Sequence, residues 1–260
     1  MIEVTVLGSG SSGNATLIRS ERTSILIDAG FSHRQLKLRM ASVGWDPARL
    51  DAVIISHEHT DHICGLRVLC KRHSMPVFSA EATFASRRFD EMGLTRIEHV
   101  NAGEEFSIGD LDIKPFSVPH DAADPLGFIV RCNGMTLGHV TDLGYAPELT
   151  ARSLQECNIL VLESNHDPDM LLYGPYPWPI KQRILSRTGH LSNSASSELL
   201  AKVASSDLAV VFLAHLSQQN NTPELALQAH TKVVGAAAGL YGPEIVVTAQ
   251  HAPSRSIRLC

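Results

Sequence analysis

The stretch DAVIISHEHTDHICGL, residues 51–66, places an apolar run directly before a group of metal-binding side chains. The run at 52–55 is typical of a buried strand, and four candidate ligands follow it within six positions, namely His57, His59, Asp61 and His62. In extended backbone, side chains two residues apart point to the same side, so His57 and His59 can reach one ion. Asp61 and His62 lie one step further along the chain and can serve a second ion. A polar loop could hold these residues by chance, but their density after a strand favours a metal site.

Three more candidate ligands end other strand-like runs. His120 ends the run 111–120, Asp142 ends 135–142 and His215 ends 208–215. Each of these residues alone is typical of a hydrogen-bonded loop position, so the recurrence at strand ends is the informative feature. Imidazole and carboxylate ligands without cysteine suit zinc, manganese or iron. The sequence therefore predicts that these residues complete the site that begins at 57–62.

The hydrophobic pattern predicts an α/β protein with sheets that are not purely parallel. Strands are predicted at 2–7, 25–27, 52–55, 108–116, 128–132, 135–141, 159–162, 209–214 and 245–248. Helices are predicted at 32–42, 62–73, 81–92, 180–187, 194–204 and 223–238. Asn133-Gly134 and Gly109-Asp110 are two-residue turn signals between strand-like runs, and they predict hairpins. Hairpins mixed with strand–helix alternation exclude a purely parallel sheet. No linker or repeat interrupts the chain, so one domain is expected over 1–260.

Composition narrows the classes of partner. The net charge of −5 provides no global basic field for nucleic acid or an anionic membrane. An anionic substrate therefore needs a local basic patch or bound cations. No apolar run approaches the length of a membrane span. Five cysteines occur without a C-x-x-C pair, and we expect no signal peptide before the strand that begins at Ile2. Reduced thiols and a cytoplasmic location are expected.

The first glycine-rich loop resembles a dinucleotide-binding fingerprint in its letters only. Gly8, Gly10 and Gly13 match G-x-G-x-x-G, and Asp28 stands where the ribose-binding acid would be expected. That motif requires a helix after the last glycine, but only residues 14–24 precede the next strand, and their pattern is that of a hairpin. We expect no nucleotide cofactor. Two alternatives remain for the loop, a turn without a ligand or a turn whose Ser11, Ser12 and Asn14 contact a phosphate.

The order H-x-H-x-D-H, a distant His, an Asp and a late His resembles the metallo-β-lactamase superfamily. The resemblance implies an αββα four-layer sandwich with mixed sheets and two divalent metal ions, Zn²⁺ or Mn²⁺ with iron as an alternative. It places His57, His59 and His120 on one ion. It places Asp61, His62 and His215 on the other ion, with Asp142 bridging the two. The family's early strand carries an Asp that supports the site from behind the ligands, and Asp28 matches it.

Features of individual subfamilies narrow the resemblance to one branch of the superfamily. The oxygen-reductase branch usually has Glu where this chain has His59, and lactamases are mostly exported. The motifs GSGSSGN, HEHTDH, ESNHD, GHLSN and LAHLSQQNN resemble the YycJ/WalJ-type bacterial members, a group associated with 5′→3′ exonuclease activity on DNA. RNA-processing members carry a large β-CASP insertion. Here residues 143–189 alone separate Asp142 from His190, so that insertion is not expected.

The nuclease branches imply roles for further residues. They carry an extra histidine that acts on the leaving oxygen and is oriented by an acid, and His190 and Glu163 match these two positions. Residues 170–197 contain no acid but several cations and aromatics, which suits a phosphate backbone and stacked bases. A solvated helix face after a proline-rich loop is the alternative. The candidate substrate contacts are Ser11, Ser12, Asn14, His166, Lys181, Arg183, Ser192, Asn193 and Ser194.

The resulting hypothesis is a dinuclear phosphodiesterase acting on nucleic acid, with a 5′→3′ DNA exonuclease as its specific form. A hydroxide bridging the metals would attack phosphorus, Asp61 would help orient it, and His190 would protonate the leaving oxygen. One alternative is a thioester or lactone hydrolase on the same metal site. Another is a binding module with structural metals. The native metal, the choice between DNA and RNA, and the oligomeric state stay open.

Overall fold

Two mixed β-sheets pack face to face, each with seven strands among the described residues. The computed structural model describes residues 1–90, 92–237 and 242–260. The first sheet has the order β14-β1-β2-β3-β4-β5-β6. Its strands are β1 (Ile2–Gly8), β2 (Ala15–Arg19), β3 (Ser24–Ile27), β4 (Ala52–Ile54), β5 (Val77–Ser79), β6 (Ile97–His99) and β14 (Ile257–Leu259). The second sheet has the order β13-β12-β11-β10-β9-β8-β7. Its strands are β7 (Phe106–Ile108), β8 (Leu111–Ser117), β9 (Leu126–Cys132), β10 (Met135–Val140), β11 (Ile159–Glu163), β12 (Val210–Ala214) and β13 (Glu244–Val247).

Helices cover the outer face of each sheet. Those of the first half are α1 (His33–Ser42), α2 (Thr60–Ile63), α3 (Leu66–His73), α4 (Glu81–Phe84) and α5 (Arg87–Asp90), with a 3-10 turn at Pro47–Arg49. Those of the second half are α6 (Glu148–Leu154), α7 (Pro168–Tyr173), α8 (Trp178–Ile184), α9 (Asn193–Val203) and α10 (Pro223–Ala237). Among the helices of the described ranges, none combines the length and apolar character needed to cross a membrane. All five cysteines are free thiols.

Burial on both faces explains the continuous apolar runs of the central strands. In β12, Phe212 packs between the two sheets, whereas Val211 and Leu213 pack against the helices outside the second sheet. In β2, Ile18 faces the space between the sheets and Leu17 faces the helices outside the first sheet. A strand with two buried faces needs apolar residues at every position. The predicted αββα sandwich is confirmed.

Both predicted hairpins are confirmed. Asn133 and Gly134 join β9 to β10 with φ values of 49° and 77°, and positive φ at both central residues is the signature of a type I′ turn. Gly109, with φ of 59°, begins the turn between β7 and β8. After Gly13 the chain returns as β2, antiparallel to β1, and then as β3. The strand that follows the glycine loop thus occupies the place that a dinucleotide-binding fold gives to a helix.

Some predicted boundaries need correction. The helix predicted at 62–73 is two helices, α2 and α3, separated by Cys64 and Gly65. Gly65 packs closely against Phe31, where an added Cβ would lie 2.0 Å from Phe31 O. The helix predicted at 81–92 is also two short helices, and residue 91 lies outside the described residues. The helix predicted at 223–238 runs to Ala237, and residue 238 lies outside them too. Strands β5, β6 and β14 were not predicted, because three residues are too few for a period to emerge.

Candidate active site

The site lies where several strands of both sheets end. Asp28 directly follows β3, Asp142 follows β10 by two positions and His215 directly follows β12. These three residues have φ values of 61°, 58° and 58°, which is the left-handed region that non-glycine residues seldom adopt. Such backbone costs free energy and persists where the surrounding structure imposes it. Its recurrence at one edge therefore marks a site in which side-chain direction matters more than local backbone preference.

Three histidines form the first group of ligand atoms. His57, His59 and His120 each offer a ring nitrogen, and these atoms lie within 4.8 Å of one another. Nδ1 of His59 is 3.3 Å from Nε2 of His120. Nδ1 of His57 is 3.0 Å from Ser56 Oγ, and Nδ1 of His120 is 3.1 Å from Gly189 O. The outer nitrogen of His57 and of His120 is thus held, which leaves Nε2 directed at the centre.

The second group combines one carboxylate with two histidines. Oδ2 of Asp61 lies 3.5 Å from His62 Nε2 and 3.6 Å from His215 Nε2. Nδ1 of His62 is 2.8 Å from Oδ2 of Asp28, and Oδ1 of Asp28 accepts a hydrogen bond from the backbone N–H of Ser56. Asp28 therefore stands behind the ligands and fixes the His62 ring, as the family resemblance implies.

Asp142 lies between the two groups. Its Oδ2 is 3.3 Å from His62 Nε2, and its Oδ1 is 3.6 Å from His215 Nε2 and 3.8 Å from His120 Nε2. One carboxylate thus reaches imidazoles of both groups, which is the geometry that a bridging ligand requires. All seven predicted ligands are brought together at this centre.

The residues present fit two divalent ions. Nε2 of His57 and Nε2 of His215 are buried and have no hydrogen-bond partner among the described residues. Burying polar atoms without partners is unfavourable unless something binds them. The donors are imidazole nitrogens and carboxylate oxygens, a set that suits zinc, manganese or iron.

The electrostatics of the centre also favour bound cations. Burial opposes charge on His215, but Asp142, Asp61 and Glu163 outweigh burial and raise its pKa to about 10. Burial likewise opposes charge on His62, yet Asp28, Asp142 and Asp61 raise its pKa well above the ordinary value. Without metal, protons on these rings therefore supply the positive charge that the carboxylates require. Bound cations would supply it in place of those protons.

Glu163, at the end of β11, connects the metal centre to His190. The carboxylate is fully buried and meets four donors. Oε1 accepts from Nδ1 of His190 at 2.8 Å and from Nδ1 of His215 at 3.0 Å. Oε2 accepts from the backbone N–H of Leu143 at 2.7 Å and of Leu191 at 3.2 Å. Burial raises the pKa of Glu163, but the two histidines outweigh it and lower that pKa to about 2. Glu163 is therefore ionised and bonded to both the His190 and the His215 rings.

A cavity of about 340 Å³, here called the metal cavity, opens in front of these ligands. Ser11, Tyr176 and Arg183 line it beside the metal-ligating residues and His190. Nε and Nη2 of Arg183 lie 2.5 Å and 3.1 Å from the carboxylate of Asp121, so this cation is paired at the rim. Asp121 Oδ1 is itself 3.3 Å from His120 Nε2. Sequence reasoning missed Asp121, although its place directly after a candidate ligand was a usable signal.

The glycine-rich loop holds the site together from one side. Asn14 is buried, and its Nδ2 lies 3.1 Å from His62 Nε2 and 3.4 Å from Asp61 Oδ2. Ser9 Oγ donates to Asn14 Oδ1 and accepts from the backbone N–H of His215. The backbone N–H of Ser12 donates to Gln250 Oε1. Of the three substrate contacts predicted in this loop, Ser11 lines the metal cavity. Asn14 instead packs against Asp61 and His62.

A second cavity of about 380 Å³, here called the His166 cavity, lies on the other side of His190. His166 and Ser192 line it, and Ser194 is exposed beside it. Asn193 instead points into the interior. Lys181 lines neither cavity. Its partly buried ammonium group donates hydrogen bonds to Leu172 O and Gly174 O at 2.8 Å each. Burial of a lysine against carbonyl groups is a packing role that composition alone does not reveal.

A buried amide network behind His215 was also missed. Asn165 Nδ2 donates to His215 O at 2.8 Å. Asn221 Nδ2 donates to Ser164 O and Asn165 O, and Asn193 Nδ2 donates to Asn221 Oδ1. The network ties the ends of β11 and β12 to the start of α9. Its signal was present, because the motifs ESN, LSN and QQNN each contain one of these amides.

Comparisons with known proteins agree with this architecture. A family model described as "Beta-lactamase superfamily domain" matches residues 23–216. The exodeoxyribonuclease YycJ of Bacillus anthracis is 33% identical over 235 residues, which are 90% of this chain and 89% of that protein. The exodeoxyribonuclease WalJ of Streptococcus pneumoniae is 34% identical over 225 residues, covering 85% of this chain and 84% of that protein.

Solved structures show the same fold. The metallo-β-lactamase fold protein YhfI from Bacillus subtilis aligns with a TM-score of 0.75 and 18% identity over 98% of both chains. Zn²⁺-bound PqqB from Methylobacterium extorquens aligns with a TM-score of 0.71 and 16% identity over 99% of this chain. The chain belongs to the metallo-β-lactamase superfamily. It is a metal-dependent hydrolase, as predicted.

Proposed function

We propose that this hydrolase is a two-metal nuclease that removes nucleotides from an end of DNA, in the 5′→3′ direction. The observation that carries the proposal is the joint presence of a complete ligand set and the His190–Glu163 pair beside it. Its relatives named exodeoxyribonuclease match over nearly the whole chain and support the choice of substrate. We place the enzyme in the cytoplasm.

Two divalent ions held by the seven ligands would lower the pKa of a bound water and neutralise charge that develops on a phosphate. The chain's own residues supply the remaining chemistry. Asp61, a ligand with 22% side-chain exposure, is the carboxylate of the second group that reaches the metal cavity, where it can orient the attacking water. Asn14 holds this carboxylate and the neighbouring His62 ring in place.

His190 is placed to protonate the departing oxygen. Its Nδ1 is occupied by Glu163, so Nε2 is the nitrogen available to a substrate. The ring lines the metal cavity and keeps 15% side-chain exposure. A general acid must stand within hydrogen-bond reach of the atom that it protonates. A ring fixed by a buried carboxylate beside the seven proposed ligands suits that role.

Basic helices and exposed aromatics support a polyanionic, base-bearing substrate. Helices α1 and α3 contain no acidic residue, although the whole chain has a net charge of −5. Their exposed cations are Arg34, Lys37, Arg67, Lys71 and Arg72. Helix α3 begins three residues after α2, which carries Asp61 and His62. In the segment that contributes Tyr176 to the metal cavity, Tyr173 and Trp178 are 81% and 56% exposed. Cations for phosphates and aromatics for bases are the features that single strands require.

The testing experiment compares substrates on one preparation of protein. Single- and double-stranded DNA and RNA, each labelled at the 5′ or the 3′ end, are incubated with protein plus Zn²⁺ or Mn²⁺. Asp142→Ala serves as the metal-site control, and a thioester and a lactone serve as the rival substrates. We expect 5′-labelled DNA to release labelled mononucleotide from the first time point. Turnover of the ester substrates with intact DNA ends would instead favour the small-molecule hydrolase.

A further inference from the structure

The His166 cavity contains a buried polar ring that nothing in the described residues satisfies. His166 is 1% exposed, and neither Nδ1 nor Nε2 has a hydrogen-bond partner there. Burial of an unpartnered polar group destabilises a fold, so a natural protein retains one where a ligand completes it. His166 belongs to the cavity wall, so a ligand bound there lies against this residue.

The walls of the cavity define the chemistry that it accepts. Burial lowers the pKa of His166 to about 4, so the ring is neutral near pH 7 and offers one donor and one acceptor. Helix α9, which has 11 residues, begins at the same cavity with Ser192 as its N-cap, and a helix N-terminus attracts anions. Lys202 and Glu198 place one cation and one carboxylate on the same wall, and Tyr145 and Leu185 add apolar surface. A flat polar heterocycle joined to a phosphate matches the neutral ring, the helix N-terminus, the lysine and the apolar surface.

His190 stands between this cavity and the metal cavity, because it lines both. In an in-line displacement the leaving oxygen departs on the side opposite the attacking water. The water is held among the ligands, and His190 protonates the leaving oxygen. The group attached to that oxygen therefore extends past His190, which is where the His166 cavity lies.

We propose that the His166 cavity binds the departing nucleotide and releases it as a nucleoside 5′-monophosphate, with the imidazole of His166 bonded to it. The inference rests on the proposed nuclease function. A bond forms between the water oxygen and phosphorus while the P–O3′ bond breaks. The electron pair stays on O3′, which takes a proton from His190, and the water releases one proton to solvent. Solvent then reprotonates His190.

The test measures nucleotide binding separately from cleavage. Metal-loaded protein is titrated with deoxyadenosine 5′-monophosphate by calorimetry, and the same compound is then used as an inhibitor of DNA cleavage. His166→Ala removes the unpartnered ring, and Ala195→Trp fills the cavity from the first turn of α9. His99→Ala, an exposed histidine on β6, is the matched control. Metal content and Tm are recorded for every variant.

We expect both cavity variants to weaken nucleotide binding at least tenfold and to raise the inhibition constant equally. Metal content should match wild type, and the Tm of His166→Ala should equal or exceed that of wild type. Unchanged binding in both cavity variants, with DNA cleavage intact in wild type, overturns this inference and leaves the proposed function standing. Absence of any DNA or RNA cleavage by wild type overturns the proposed function and this inference with it.

Discussion

Oε1 of Glu163 lies 2.8 Å from Nδ1 of His190, whose ring lines the metal cavity. The same oxygen accepts from His215, so one buried carboxylate holds both the ring proposed to bind metal and the ring proposed to donate a proton. The two rings cannot be repositioned independently, because they share this single acceptor. In the proposed mechanism, the geometry at the metal ions and the geometry at the leaving oxygen would therefore be coupled.

Glu163→Gln tests this coupling. An amide in this place presents its N–H₂ group either to the two ring nitrogens or to the two backbone N–H groups, so either orientation loses two of the four hydrogen bonds together with the negative charge. We expect kcat for DNA cleavage to fall about 10- to 100-fold, with weaker metal binding, as is typical when the partner behind a ligand is changed. Stopped assays and metal analysis provide the two readouts. Glu156→Gln, an exposed position, is the matched control, and wild-type rates in Glu163→Gln would remove the orienting role.

His190→Ala separates proton transfer from metal binding. Because His190 is not among the seven ligands, both ions should stay bound, while kcat on DNA falls about 10²- to 10⁴-fold, the usual contribution of a general acid. A diester with a 4-nitrophenyl leaving group needs no such proton, so its hydrolysis should fall much less. An equal loss on both substrates would show that His190 acts in some other way.

Asp28→Asn tests the support behind His62. Asparagine tolerates the left-handed backbone at this position, so the substitution changes the charge of the acceptor and keeps its shape. We expect metal affinity to fall about 10- to 100-fold, measured by competition with a chromophoric chelator. Asp112→Asn, on an exposed face of β8, should leave the affinity unchanged. Equal affinities of the Asp28 and Asp112 variants would contradict the assignment.

His139 predicts how metal-free protein responds to acid. This fully buried ring is 3.1 Å from Thr16 Oγ1, and burial is the largest factor that lowers its pKa from 6.5 to about 4. Between those pH values the unfolded chain binds more protons, so stability falls as pH falls through that window. The full shift is worth about 3 kcal/mol at 1.36 kcal/mol per pKa unit.

The experiment compares wild type with His139→Gln in chelator-containing buffer. Urea unfolding at pH 7 and pH 5 gives the free energy of unfolding at each pH. Wild type should lose about 2 kcal/mol more than the variant between the two values, because pH 5 lies 1.5 units below 6.5. Parallel losses in the two proteins would mean that His139 is not protonated on unfolding in this range.

Much of the site could be predicted from the sequence, because its ligands follow apolar strands in short, dense patterns. His57, His59, Asp61 and His62 follow one strand, and parallel strands end at a common edge. Glu163 was predicted as a partner of His190, but its second bond, to His215, depends on where two distant strand ends meet. No local sequence pattern predicts the distance between Glu163 and His215 at these two strand ends.

Burial and backbone direction account for most of what was missed. Lys181 was a reasonable phosphate contact by composition, yet its ammonium is used by the carbonyls of Leu172 and Gly174. The left-handed backbone of Asp28, Asp142 and His215 could not be predicted from residue type, since tertiary packing imposes it against local preference. The lack of a hydrogen-bond partner for the His166 ring among the described residues is likewise evident only from the folded structure.

The most direct test of the central claim is a metal titration with two simultaneous readouts. Metal-free protein is titrated with Mn²⁺ or Zn²⁺, and bound metal and cleavage of end-labelled DNA are measured at every step. Cleavage should be absent without metal and should rise to a plateau as two ions bind per chain, with Asp142→Ala binding fewer ions and remaining inactive. Cleavage by metal-free protein, or full cleavage by the Asp142→Ala variant, would contradict a two-metal nuclease built on these seven ligands.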